Sequence, residues 1–265
     1  MLSSDVIAAE DFAHDSRVLG RRKVAHVLPP VGAAHERPLF VMLHPFGGNR
    51  SSWLKHAPEL MAGLARDLVV VLPECGRNWF INDHSGKRYE DYLTTELIPA
   101  VRASYAATGP AYIGGFSMGG ASAFFLALRH PDEFAAAFAV AGAFTAGNRQ
   151  GNPYEATRSD ELMIPSEAEH ERVLGPSGSA VRNTYEPLAV IQKLKGANCL
   201  PKFHFEVGTS DYPRALEASA LMQDLLQRAG ARYTFAEHEG DHSWSYAAEG
   251  MARLIAQIRR ERGHG

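Results

Sequence analysis

The stretch Ala111-Tyr112-Ile113-Gly114-Gly115-Phe116-Ser117-Met118-Gly119-Gly120 constrains this chain more than any other. A short apolar run with strand character ends in glycines. A serine follows with a glycine two positions to either side, and the apolar residues 121–128 are long enough for a helix. A sharp strand-to-helix turn fits that order, because a side chain at 115 or 119 would collide with the neighbouring strand or helix. Such a turn holds Ser117 in a strained backbone, its hydroxyl at the tip of a sheet beside the amides that open the helix. A bare G-x-S-x-G pattern also arises by chance as a glycine-rich turn. The flanking strand and helix make Ser117 a candidate nucleophile.

A sheet edge of that kind needs further strands, and the chain supplies them. Residues 5–28 read as two strands around a turn near Gly20, and 39–43 and 68–72 are unbroken apolar runs suited to strands buried on both faces. Residues 134–142, 202–207 and 232–236 continue the series. Helical patterns fall at 56–66, 89–105, 186–195, 214–229 and 246–260. Strands alternating with helices imply parallel βαβ units with right-handed crossovers, hence an α/β fold with a mostly parallel sheet flanked by helices. The chain of 265 residues suits one large domain. Residues 145–183 break the rhythm with Pro153, Pro165, Pro176 and several glycines, and read as an insertion or partial cap.

Composition narrows the partners. The formal net charge is −3 and there is no basic excess to hold nucleic acid or an anionic membrane surface. No apolar run approaches the ~20 residues of a membrane span. Residues 1–10 carry acids and lack a basic start and an apolar core, unlike a secretory signal. Cys75 and Cys199 are too few for a disulfide scaffold and are expected as thiols in a reducing cytoplasm. No H-E-x-x-H or cysteine–histidine spacing appears, so no metal is expected.

A serine hydroxyl is a weak nucleophile and needs a base, which in turn needs an orienting acid. Where a strand-to-helix turn carries the serine, these partners follow on later loops in the order serine, acid, histidine. Asp211 lies at the end of the 202–207 strand in Gly208-Thr209-Ser210-Asp211, and His242 heads the loop Gly240-Asp241-His242 before the last helix. His238 is the alternative base; Glu206 and Asp241 are the alternative acids. Asp211 also suits an N-cap for the helix opening at Pro213. Donors for a developing oxyanion are expected from the backbone N–H of Met118 and from the loop His44-Pro45-Phe46-Gly47-Gly48, with Phe46 the donor. One such donor is worth about 3 kcal/mol. Pro45 has no N–H to give, and His44 is expected to hold the loop rather than to react.

With these residues assembled, the chain resembles the esterase D-like, tributyrin-esterase-like branch of the α/β-hydrolases, related to S-formylglutathione hydrolases and mycolyltransferases. The resemblance rests on Leu43-His44-Pro45-Phe46-Gly47-Gly48-Asn49 with Ser52-Trp53, Pro73-Glu74-Cys75-Gly76-Arg77, Tyr89-Glu90-Asp91-Tyr92 with Glu96-Leu97, the Ser117 turn, His130-Pro131 with Phe134, and the loops of Asp211 and His242-Ser243-Trp244. It covers most of residues 38–260. It implies a Ser117–His242–Asp211 triad, ester hydrolysis without a cofactor and frequent oligomerisation. Pro45 departs from it, since a glycine usually precedes the oxyanion donor. No cysteine lies between His44 and Trp53, where formylglutathione hydrolases usually carry one. The expected activity is a serine carboxylesterase for small or short-chain acyl esters. A thioesterase or acyltransferase with the same triad is the alternative, and a non-catalytic binding protein of the same fold a remote one. Trp53, Trp79, Phe80 and Trp244 are candidate substrate-facing aromatics.

Overall fold

A computed structural model of the chain describes residues 8–31, 37–148, 165–194 and 200–262. Eight strands form one sheet: β1 (Glu10–Ser16), β2 (Arg21–Leu28), β3 (Leu39–Leu43), β4 (Val69–Leu72), β5 (Ala111–Phe116), β6 (Phe134–Val140), β7 (Lys202–Gly208) and β8 (Tyr233–His238). Their order is β1-β2-β4-β3-β5-β6-β7-β8. The β1–β2 and β2–β4 pairs are antiparallel, and every pair from β4 to β8 is parallel. The unbroken apolar runs are the central strands, because both faces of the sheet are covered. In β3, Leu39, Val41 and Leu43 enter one core, while Phe40 and Met42 enter the other.

Two helices precede β4, α1 (Ser52–His56) and α2 (Pro58–Leu64). The single helix expected over 56–66 is therefore two, broken where Pro58 fits the first turn of a new helix but not the interior of an old one. Between β4 and β5 run α3 (Tyr89–Asp91), a π-helical turn (Tyr92–Leu97) and α4 (Ile98–Tyr105). The wide turn coincides with Pro99, which has no N–H to give, and with the Thr94 and Thr95 hydroxyls bonding back to the carbonyls of Glu90 and Asp91. Helix α5 (Met118–Arg129) follows β5 and is buried through residues 118–128. Strand β6 stops at Val140, two residues short of the expected end, because Ala141 turns the chain with φ 49°.

The described part of the 145–183 insertion is more ordered than its composition suggests. It holds a 3-10 turn (Ala146–Asn148), α6 (Glu167–Leu174) and α7 (Ala180–Thr184). Residues 149–164, with Pro153, lie outside the described residues, as does Cys199. Helices α8 (Pro187–Leu194), α9 (Pro213–Arg228) and α10 (Trp244–Arg262) complete the chain. One core packs α4, α5 and α9 against the sheet, and the second packs α1, α2 and α10 against its other face. Among the described residues no helix is long and apolar enough to cross a membrane.

Candidate active site

The turn from β5 to α5 is as tight as its glycines imply. A Cβ on Gly119 would lie 2.5 Å from the Leu43 carbonyl oxygen, and one on Gly115 would lie 2.5 Å from the Gly119 carbonyl carbon. Ser117 between them takes φ 54° and ψ −116°, a left-handed backbone that a non-glycine residue adopts at a cost. Neighbouring loops hold it there. The Ser117 N–H donates to the Val140 carbonyl at 2.9 Å, and the Ser117 carbonyl accepts from the N–H groups of Ala121 and Ala143 at 3.0 and 3.2 Å.

The loops after β7 and β8 are stitched together by backbone bonds from Thr209 N–H to His238 O and from Ser210 N–H to Gly240 O, both 2.8 Å. They bring Asp211 and His242 to Ser117. His242 Nδ1 donates to Asp211 Oδ1 and Oδ2 at 2.8 and 3.0 Å, and its Nε2 lies 2.9 Å from Ser117 Oγ. With the Nδ1–H donated to the carboxylate as a hydrogen bond, Nε2 is left to accept from the serine hydroxyl, a tautomer assigned from these partners. The imidazole packs between Phe116 and Tyr212 at ring-centroid distances of 4.8 and 5.0 Å, and its side chain is 11% exposed. Its orientation is thus set by packing on two sides as well as by two hydrogen bonds.

The alternatives expected from sequence lie elsewhere. His238 ends β8 as an exposed residue 3.9 Å from Glu206. Glu206 is buried inside β7 and held by Arg253 at 2.7 and 3.2 Å. Asp241 is exposed. Asp211 does not cap α9: the N-cap is Tyr212, with no side-chain cap bond, and the Tyr212 N–H donates to Asp211 Oδ1 at 2.6 Å.

Phe46 and Met118 line the same cavity as Ser117 and His242. Met118 opens α5, where N–H groups have no acceptor within the helix. The Phe46 loop is a turn closed by Gly48 N–H to Pro45 O at 2.9 Å, with Gly47 at φ 73°. A positive φ at the third residue alone marks a type II turn, which uses the Gly48 N–H and not that of Phe46. Pro45 therefore contributes its carbonyl, which also accepts from His44 Nδ1 at 2.8 Å. His44 Nε2 in turn accepts from the Cys75 N–H at 3.2 Å. Both nitrogens of this neutral ring are engaged, and burial pushes the imidazole down to about 4. The same surroundings push the Cys75 thiol up to about 12, so it is a packing group rather than a nucleophile.

The cavity encloses about 630 Å³ when the open space at its mouth is counted. Trp79 lines it, in a left-handed backbone at φ 59°. Trp53, Phe80 and Trp244 do not line it. Trp53 is buried with its indole N–H on the Leu43 carbonyl at 2.9 Å, and Phe80 packs on the His44 ring. Trp244 stacks on His56 and meets Trp53 edge-on. These three buttress the loops behind the site, where an apolar ring gains more from burial than from facing solvent. Lining residues not anticipated from sequence include Thr145, His170, Tyr212 and Arg214. The insertion lines the site directly with Thr145, Ala146, Pro165 and His170. It also bears on Arg77, whose guanidinium lies 4.1 Å from the Phe46 ring centroid and pairs with Glu169 of α6 at 2.5 Å. Among the described residues no three His, Cys, Asp or Glu side chains are grouped so as to hold a metal ion.

A serine on a strand-to-helix turn, hydrogen-bonded to an imidazole that is itself bonded to a carboxylate, at the carboxyl edge of this sheet defines an α/β-hydrolase-fold protein. The model of the "Putative esterase" family matches residues 16–258, and the chain belongs to that family of carboxylic ester hydrolases. It is 23% identical over 210 residues to an acetyl esterase of Caldicellulosiruptor saccharolyticus, covering 77% of each chain. Among solved structures, fluorophosphonate-binding serine hydrolase F of Staphylococcus aureus is similar at TM-score 0.77 and 18% identity, over 95% of this chain and 98% of that one. An S-formylglutathione hydrolase of the same organism is similar at TM-score 0.76 and 20% identity, over 95% and 98%. These two likenesses carry the fold.

Proposed function

We propose that the protein is a serine carboxylesterase for small or short-chain acyl esters, with Ser117 as nucleophile, His242 as general base and acid, and Asp211 as the group that orients the imidazole. The observation that carries the reading is the 2.9 Å approach of His242 Nε2 to Ser117 Oγ, with Asp211 on the opposite ring nitrogen. Ser117 Oγ bonds to the ester carbonyl carbon as its proton passes to Nε2. The N–H groups of Met118 and Phe46 receive the oxyanion, assisted by the positive end of α5. The proton on Nε2 then goes to the departing alkoxide, leaving the alcohol and an acyl-enzyme. Water attacks that ester with the same base, releasing the acid and restoring the serine hydroxyl. The alanines at 141, 143, 146 and 215 around the cavity leave room for an acyl group.

The test is turnover of p-nitrophenyl esters from C2 to C12, with fluorophosphonate labelling. Short chains are expected to turn over fastest. Ser117→Ala is expected to lose labelling and about 10⁴-fold or more in kcat. Labelling that survives in Ser117→Ala, or no turnover of any ester, overturns the reading.

A further inference from the structure

Arg214 has no structural task comparable to those of the arginines around it. Arg77, Arg129 and Arg253 each pair with a carboxylate, those of Glu169, Glu90 and Glu206. Arg214 lines the cavity with Ser117 and His242, is half-buried, and has no carboxylate partner among the described residues. It is the one lining side chain with a permanent charge among those residues; Phe46, Trp79, Met118, Thr145 and Tyr212 around it are apolar or neutral.

Its place in α9 makes a purely structural role poorer still. It stands in the first turn of a helix with no side-chain N-cap and no acid in that turn. A cation there faces the positive end of the helix dipole, where an acid is the stabilising choice. The backbone leading to it is stiff, since Asp211, Tyr212 and Pro213 precede it directly and Pro213 fixes φ at the helix start. Arg214 is thereby positioned by the same loop that fixes the carboxylate bonded to His242. A guanidinium that shares an otherwise neutral cavity with the serine nucleophile matches a carboxylate, to which it can donate two parallel hydrogen bonds.

We propose that Arg214 is a specificity-determining residue that binds a carboxylate on the substrate, so that the preferred esters are hemiesters of short dicarboxylic acids. This inference rests on the esterase reading and narrows its substrate class. The chemistry is unchanged: water cleaves the one ester bond, and the free carboxylate is bound and not consumed.

The test compares monoethyl succinate and monoethyl glutarate with the same esters whose carboxylate is a primary amide, following ethanol release. In the wild-type protein kcat/KM is expected to favour the carboxylates by about tenfold or more. The preference is expected to shrink in 1 M salt, because a half-buried cation is screened. In Arg214→Gln the carboxylate-to-amide ratio is expected to fall at least about fivefold, and in Arg214→Lys by less. Amides turned over as well as carboxylates by the wild type, or a ratio unchanged in Arg214→Gln, overturns the proposal. The wild-type ratio and its salt dependence decide even where a variant does not fold. Turnover of p-nitrophenyl acetate with fluorophosphonate labelling of Ser117 separates the two levels: if both persist without a carboxylate preference, only Arg214 loses its role. If both are absent, the esterase reading fails with it.

Discussion

Helix α5 has an imidazole–carboxylate pair at each end, and the two pairs do different work. At its start, His242 donates to Asp211 at 2.8 Å and presents Nε2 to Ser117 inside a cavity. At its end, His130 meets Glu90 at 2.7 Å, but Arg129 reaches the same carboxylate at 2.8 Å and the Tyr185 hydroxyl bonds to its other oxygen. Burial pushes the Glu90 carboxyl up, and the hydrogen bonds from His130 and Tyr185 with the Arg129 charge outweigh it, so it sits below the usual carboxylate value. The carboxylate at the far end is saturated by fixed donors that tie α3, α5 and the end of α7 together. At the near end the imidazole is bonded on one side only to protein and on the other to a hydroxyl that can react. A histidine–carboxylate pair becomes chemical through what its second nitrogen faces. The dipole sharpens the contrast, favouring anionic charge at the start of α5 and cations such as Arg129 at its end.

The largest effect should come from the near pair. Asp211→Asn is expected to lower kcat about 10⁴-fold, because an amide favours the wrong imidazole tautomer; ester turnover by the purified variant measures it. Glu90→Gln is expected to do the reverse: a stability loss of about 2–3 kcal/mol by urea unfolding, with ester turnover of the folded protein within about threefold of wild type. Collapse of activity in Glu90→Gln at intact stability would erase the distinction between the two ends.

The next effect is read in pH. His44 sits at about 4 against an ordinary 6.5, so the folded state binds fewer protons than the unfolded chain between those values. Its contribution is complete above pH 6.5 and is lost as pH falls towards 4, about 3 kcal/mol in all. Glu90, also depressed, loses its contribution further down, as pH falls from 4.5 through its folded value. Urea midpoints across pH 3 to 8 should therefore decline in two stages, with His44→Gln flattening the upper one and Glu90→Gln the lower. The smallest effect belongs to Arg77→Ala. Losing the guanidinium between Phe46 and Glu169 should lower kcat about three- to fivefold, worth about 1 kcal/mol, with KM little changed. An equal effect on KM would show that the contact serves binding instead.

The sequence made the sheet legible because β3, β4 and β5 bury both faces and so read as unbroken apolar runs. The serine turn was legible because only glycine fits within 3 Å of a neighbouring backbone. Order along the chain then picked out Asp211 and His242, and the fold bonds Asp211 to His242 and His242 to Ser117. What stayed hidden depended on three dimensions. Helix α6 buries only His170, Val173 and Leu174 and is launched by the Ser166–Glu169 capping box, a signal carried by two polar residues in a polar stretch. The aromatic loops announced rings but not the faces they would take, so Trp53 and Phe80 turned out to be packing groups behind the site. Arg214 was invisible as a site residue because its cavity is assembled from segments about a hundred residues apart.

The cramped serine turn also has a consequence in time. Its backbone is held by bonds to Val140 of β6 and to Ala143, and the Ser117–His242 bond closes a span of 125 residues. Loop closure over such a span is slow and waits on the rest of the sheet. During refolding, helices and hydrophobic burial should therefore return well before reactivity of Ser117 towards a fluorophosphonate, making that serine a late-reporting clock for completion of the molecule.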